Sequence, residues 1–209
     1  MGALLYTIGY AGYPELDGFI AELKKYGVTT LIDIRRRPYE SFFEQYDENN
    51  LRNAMTREDM AYIRFEGNFG MGTDEGDEGE PESPVDFEET AKTEAFEKGI
   101  ARLRYGMEKG LIPVIMGEAA DPVLCARGLL IARVLHEMGY AVKHIMPGRI
   151  KEHAELEEEI RDFAKREIRS EETGEYQLSL MPPAGPGTSL PDGGELLEEG
   201  YRRLNRLFF

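Results

Sequence analysis

The polar residues best suited to chemistry in this chain are arginines that follow buried strands. Arg35 and Arg37 belong to a run of three arginines after the apolar segment VTTLIDI, and Arg127 follows a second apolar segment, LIPVIMG. Arginine presents a planar set of N–H donors that fits phosphate or carboxylate oxygens, and a helix N-terminus adds free backbone N–H groups. The sequence therefore predicts a binding site for a small phosphorylated or nucleotide-like anion.

Three further side chains are candidates for this site. Glu118, directly after LIPVIMG, is a candidate general acid or base, or a residue that orients an arginine. Cys125 lies in the first turn of a helix predicted over residues 122–138, where the helix dipole favours a thiolate; it is therefore either a nucleophile or redox thiol, or a small residue packed under the helix. Tyr10, in GYAG after the first strand, could hydrogen-bond to a ligand or stack on it.

A buried network of ion pairs is the alternative explanation for the same residues. Asp33 lies inside the apolar segment before the arginine run, and together with Glu118 it could hold the arginines in place without any ligand. However, three adjacent arginines exceed what one or two carboxylates require, which favours a ligand site for the group as a whole.

The elements that must position these residues alternate between strand and helix. This order predicts an α/β fold with a mainly parallel sheet and helices on both faces, a Rossmann-like three-layer arrangement. In such sheets the strand-end loops share one edge, where ligands bind. The predicted strands cover residues 3–9, 28–34, 61–65, 111–118 and 140–148, and the main predicted helices cover residues 48–58, 87–109, 122–138 and 150–169.

The chain is expected to form a single α/β domain over residues 1–181, with two additions. Residues 74–90 contain nine acidic residues and no Lys or Arg, which predicts a solvated acidic loop insertion; a metal-binding loop is the alternative, although the spacing does not match an EF-hand. A Pro/Gly-rich linker at 182–194 leads to an amphipathic helix at 195–209. That helix is expected to pack on the body or to form a homo-oligomer with a neighbouring subunit.

Composition restricts the partners and the compartment. The net charge of −15, from 40 Asp and Glu against 25 Lys and Arg, argues against bulk nucleic-acid binding. No apolar run is long enough to span a membrane. With Cys125 as the only cysteine, no intramolecular disulfide can form, and a cytoplasmic location is expected. Neither a cofactor nor a metal is expected, because a His144/His153 metal site would need further ligands.

The ordered segments TIGYAG, LIDIRRRP, GE..DP..C.R and V.HI resemble the family catalogued as domain of unknown function 488, over roughly residues 5–153. The resemblance implies an α/β fold and a site location, but no reaction. Members usually carry a cysteine and a histidine where this chain has Met116 and Ala126. If those members use a thiolate–histidine pair, this chain lacks half of it.

Three hypotheses for function follow. The first is an enzyme that acts on a small phosphorylated or nucleotide-like anion. The second is a non-catalytic module that binds nucleotides or nucleic-acid ends, which the replaced cysteine and histidine favour. The third is a degenerate scaffold whose acidic loop and terminal helix bind another protein.

Overall fold

A computed structural model describes residues 4–35, 43–65, 69, 85–173 and 191–209. Within these ranges the chain forms one six-stranded sheet with the order β3-β2-β4-β1-β5-β6. The first five strands are parallel, and β6 pairs antiparallel with β5. The strands are β1 (Leu4–Gly9), β2 (Thr30–Asp33), β3 (Ala61–Arg64), β4 (Pro113–Gly117), β5 (Ala141–Met146) and β6 (Arg149–Glu152).

Helices cover both faces of the sheet, so the predicted three-layer α/β fold is confirmed. They are α1 (Leu16–Lys25), α2 (Glu48–Arg57), α3 (Phe87–Thr90), α4 (Glu94–Glu108), α5 (Arg133–Glu137), α6 (His153–Thr173) and α7 (Gly193–Phe208), with a π-helix (Arg127–Ala132) leading directly into α5. Side chains of α1 and α2 pack in one apolar cluster, and those of α4 to α7 pack in the other.

The first βαβ unit, made of β1, α1 and β2, forms for reasons that are visible in the sequence. Phe19 and Leu23 lie four residues apart on α1 and are fully buried, which holds this helix on the sheet. Gly27 adopts a φ of 67°, a left-handed conformation that ends the helix and that other residues rarely adopt. Strand β2 then has hydrogen-bonded neighbours on both sides and is buried along its whole length.

The prediction of a single helix over residues 87–109 was wrong. The chain forms α3, a short break, and α4, because two caps compete with a continuous helix. The Asp86 carboxylate accepts the N–H groups of Glu88 and Glu89, and Thr93 Oγ1 accepts that of Phe96. A side-chain cap starts a new helix at each of these positions.

The end of the sheet also differs from the prediction. Residues 149–152, assigned in part to a charged helix, form the edge strand β6, and α6 begins at His153. A tight turn at Gly148, whose φ is 75°, returns the chain alongside β5. The polar sequence of β6 suits this edge because Lys143 and Glu152 form an ion pair across it, at 2.7 Å.

Helix α7, predicted at 195–209, begins at Gly193 and packs along α6. The contact is close at Gly200, where a Cβ atom would lie 2.5 Å from Ile160 Cγ2. Leu196, Tyr201 and Leu204 are buried there. Most of the acidic segment (74–84) and of the linker (182–190) lies outside the described residues. Among the helices that the structure describes, none is long and apolar enough to cross a membrane.

Candidate functional site

Two glycines at the carboxyl ends of β1 and β4 allow the loop 118–127 to fold onto the sheet. Gly9 and Gly117 are neighbours in the parallel ladder. A Cβ atom on Gly9 would lie 1.8 Å from the Ala119 carbonyl oxygen, and one on Gly117 would lie 2.6 Å from Cys125 Sγ and 3.3 Å from Arg127 Nη1. The missing side chains therefore make room for Cys125 and Arg127, which meet over Gly117.

Cys125 does not lie in the first turn of a helix, as the sequence predicted. A 3-10 turn at Pro122–Leu124 precedes it, and Cys125 itself is extended, with φ −151° and ψ 143°. Its carbonyl oxygen accepts the N–H groups of Gly128 at 3.0 Å and Leu129 at 3.2 Å. The chain also folds back closely here, since a Cβ on Gly128 would lie 2.1 Å from Pro122 O. Cys125 thus caps the following helix, and its side chain is partly exposed.

Arg127 is the first residue of the π-helix and is buried, with 1% of its surface exposed. Its Nη2 donates to Ala120 O at 3.1 Å. No hydrogen-bond partner for Nε or Nη1 is found in the part of the chain that the structure describes. Buried guanidinium donors are almost always paired, so this group is suited to receive an anion. π-Helical turns are also frequent at functional sites.

Arg35, in contrast, is held by protein groups. Its Nε and Nη2 donate to the two carboxylate oxygens of Asp33 at 3.0 and 2.7 Å, and Nη2 also donates to Tyr46 O at 2.8 Å. The guanidinium lies over the ring of Tyr10, 5.1 Å from its centroid. Asp33 is fully buried and receives a further hydrogen bond from the Tyr62 hydroxyl at 2.7 Å. This network fits the ion-pair alternative for Arg35.

The candidate residues therefore fall into two groups on opposite faces of the sheet. Asp33 lies two residues after Leu31 and therefore on the same face of β2, and Leu31 belongs to the α1–α2 cluster. Tyr10 belongs to the same cluster. Gly117, over which Arg127 lies, is on the same face of β4 as Ile115, and Ile115 belongs to the other cluster. Backbone atoms join the two groups at the sheet edge, where Ala11 N–H donates to Glu118 O at 3.0 Å.

Glu118 and Arg37 are the other two predicted site residues. The Glu118 side chain is exposed at the end of β4, one residue after Gly117. It can therefore exchange protons with solvent or with a ligand on that edge. Arg37 lies outside the described residues.

A buried chain of hydrogen bonds was not foreseen from the sequence. His144 Nδ1 lies 2.7 Å from Thr7 Oγ1, His144 Nε2 lies 3.0 Å from His153 Nδ1, and His153 Nε2 lies 3.1 Å from the Tyr201 hydroxyl. Burial lowers the pKa of His153 to about 3 and holds the pKa of His144 well below its usual range. One signal was available in the sequence: His144 lies two residues after Val142 on β5, so its imidazole points to the same buried face.

No group of three or more His, Cys, Asp or Glu side chains within the described ranges could hold a metal ion. Arg127 contributes to the low pKa of His144 through its charge, after burial and His153. The Arg127 guanidinium and His144 are therefore electrostatic neighbours.

Comparison with protein families gives one match. A family model described as domain of unknown function DUF488 matches residues 15–134, more than half of the chain. The matched range includes β2, β4 and the loop with Cys125 and Arg127. Comparisons with curated proteins and with solved structures gave no significant match.

Proposed function

Because the chain belongs to the family described as domain of unknown function DUF488, which carries no assigned reaction, we propose a function from the geometry. The protein is an enzyme that acts on a small phosphorylated or nucleotide-like anion. Arg127 binds the oxyanion, and Glu118 serves as the general acid or base. Cys125 is the second candidate for the chemical step.

The unpaired donors of Arg127 carry this proposal. The residue is 1% exposed, yet Nε and Nη1 have no acceptor among the residues that the structure describes. A buried charge without a partner is strongly unfavourable, and a bound oxyanion would supply both the acceptors and the opposite charge. The fixed contact of Nη2 with Ala120 O holds the guanidinium in place for such a ligand.

The neighbours of Arg127 support a chemical step at the same place. Cys125 Sγ and Arg127 Nη1 border the same position above Gly117, so a ligand on the guanidinium would lie next to the thiol. Glu118 follows Gly117 directly and is exposed, so it can take up or release a proton at the rim. A single partly exposed thiol also suits the reducing cytoplasm that we propose as its location.

Thermal unfolding with an anion panel tests the binding step. Inorganic phosphate, sulfate and a nucleoside monophosphate are expected to raise Tm, and a ligand at about 100 times its Kd adds about 2.7 kcal/mol of stability. Arg127→Met should abolish the effect. Arg102→Met is the matched control. Arg102 belongs to α4 and lies over the ring of Phe65, so its replacement should leave the effect of the anion unchanged. The proposal fails if no anion stabilises the wild-type protein.

A non-catalytic binding module is the second candidate. It is favoured by Met116 and Ala126, which stand where members of the family usually carry cysteine and histidine. Product analysis with the anions that raise Tm separates the two functions. An enzyme should show turnover that Glu118→Gln or Cys125→Ser reduces while the Tm response persists. Binding without turnover of any stabilising ligand favours the module.

A further inference from the structure

We propose that helix α7 is an acid-sensitive element, released from the body when the buried chain formed by Thr7, His144, His153 and Tyr201 takes up a proton. We refer to these four residues as the histidine chain. It connects the centre of β1 to α7 through three successive hydrogen bonds of 2.7, 3.0 and 3.1 Å. This inference does not depend on the proposed function.

The contribution of α7 to the histidine chain is a single hydroxyl group. Tyr201 is 3% exposed and covers His153 Nε2, while both imidazoles are 1% exposed. A third imidazole, His136, lies 4.9 Å from His153 between ring centroids. Three imidazoles thus lie close together beneath α7, and in this arrangement water has no direct access to His144 or His153.

Three arginine and lysine cations oppose a proton on the histidine chain, and three carboxylates also lie around it. The titratable and charged groups that face it are Arg127, Arg133, His136 and Glu137 from the helical segment after β4, Lys151 from β6, Glu157 from α6, and Glu198 from α7. Glu157 is the nearest carboxylate, with Oε1 3.9 Å from His153 Nε2 and 3.8 Å from His136 Nε2. Its other oxygen lies 3.4 Å from Arg161, so this carboxylate is shared with a permanent cation.

Added protons also conflict with the hydrogen bonds themselves. An imidazolium carries N–H donors on both ring nitrogens. If His144 and His153 were both charged, two N–H groups would face each other across the 3.0 Å contact between His144 Nε2 and His153 Nδ1. Release of α7 would relieve this state, because His153 would regain contact with water.

Helix α7 can leave without disrupting the sheet. In the part of the chain that the structure describes, it contributes no strand to the sheet. Its polar contacts with the body include exposed ion pairs such as Arg203 with Glu171 at 2.6 Å, and pairs of this kind contribute little. The other attachments include the apolar face with Leu196 and Leu204, the Tyr201 hydrogen bond, and hydrogen bonds between Asn205 and the backbone of Val85 and Phe87 at 2.7 and 2.8 Å.

Hydrogen–deuterium exchange, corrected for the intrinsic effect of pH, tests the proposal on the full chain. One imidazole that stays neutral when α7 is docked and regains a pKa of about 6.5 on release shifts docking roughly 25-fold between about pH 7 and about pH 5. Amides of residues 193–208 should lose about that much protection at the lower pH. Amides of β1 and β4 should remain protected.

Three variants test whether protonation of His153 causes the release of α7 in acid. His153→Gln keeps a donor and an acceptor but cannot gain a proton, so α7 should stay protected at about pH 5. Lys165→Gln is the control, because Lys165 forms an exposed pair with Asp162 on α6, and this variant should respond to acid as the wild type does. Tyr201→Phe should weaken α7 at both pH values, and this variant keeps the test available if His153→Gln does not fold. Loss of protection in α7, β1 and β4 together, or an unchanged acid response in His153→Gln, would overturn the proposal.

Discussion

Arg35 holds Asp33 with two guanidinium nitrogens, Nε at 3.0 Å and Nη2 at 2.7 Å from the two carboxylate oxygens. The Arg35 side chain is 6% exposed and that of Asp33 is fully buried. The backbone N–H of Arg35 also donates to Asp33 Oδ1 at 3.0 Å. The chain leaving β2 is thus tied back onto the last residue of this strand.

Removal of Arg35 should cost much stability. In Arg35→Ala, the Asp33 carboxylate loses its charged partner inside the fold, and we expect the free energy of unfolding to fall by about 3–5 kcal/mol. Urea unfolding measures the change. Lys24→Ala is the control, since Lys24 and Glu58 form an exposed pair at 2.6 Å that should be worth less than about 1 kcal/mol. Equal losses in both variants would contradict the structural role of Arg35.

The close approach at Gly9 predicts opposite effects for two Gly→Ala substitutions. In Gly9→Ala the new methyl group would lie 1.8 Å from Ala119 O, a backbone atom that cannot rotate away, so a loss of about 3 kcal/mol or more is expected. Gly18 lies on α1 with no atom within 4 Å of a Cβ. Gly18→Ala should therefore add about 0.5–1 kcal/mol through helix propensity. Urea unfolding of both variants checks the two signs, and a tolerated Gly9→Ala would refute the packing of loop 118–127.

Arg127 should behave oppositely to its helical neighbour Arg133 when each is replaced by methionine. Without anions, Arg127→Met removes a buried charge whose Nε and Nη1 lack partners among the described residues, so stability should rise by at least about 1 kcal/mol. Arg133→Met breaks contacts with Glu137 at 2.8 Å and Glu198 at 2.6 Å and should lower stability. Urea unfolding in anion-free buffer measures both. A loss in Arg127→Met as large as that in Arg133→Met would show that protein groups already satisfy Arg127.

Alkaline pH should unfold the protein through its tyrosines. Burial raises the pKa of Tyr13, Tyr46, Tyr62 and Tyr201 above the ordinary value of about 10. A pKa raised in the folded state gives stability that is complete below about pH 10 and is lost as pH rises further, because the unfolded chain releases those protons first. With no tryptophan in the chain, the near-ultraviolet absorbance of phenolate follows the titration. These tyrosines should ionise together with unfolding, and smooth titration in a folded protein would disprove the prediction.

The sequence predicted the strands better than the caps. The apolar segments at β1, β2 and β4 are local signals, and so are Gly9 and Gly117 at the ends of β1 and β4. The break before α4 depends on Thr93 Oγ1 binding the Phe96 N–H, a choice between two hydrogen-bonded states that periodicity does not encode.

The division of the arginines between the two faces could not be predicted from spacing. Whether Arg35 turns toward Asp33 or toward a ligand depends on the positions of Tyr62 and Tyr46, which approach from distant parts of the chain. The extended backbone at Cys125 likewise accompanies a close contact of Gly128 with the Pro122 carbonyl group. Such tertiary contacts override local propensity.

The π-helix Arg127–Ala132 makes chain length a determinant of the site. A π turn holds more residues than an α turn, and it continues here directly into α5, whose Leu135 is fully buried. Deletion of one residue within 128–132 would let an ordinary α-helix form while Leu135 kept its place in the core. Arg127 would then keep nearly the same direction, because the wider π turn accommodates one extra residue. If the segment instead became α-helical with all its residues retained, Arg127 would rotate by about 100° around the helix axis and leave Gly117. The direction of this guanidinium is thus set by the number of residues in one turn as well as by the identity of its neighbours.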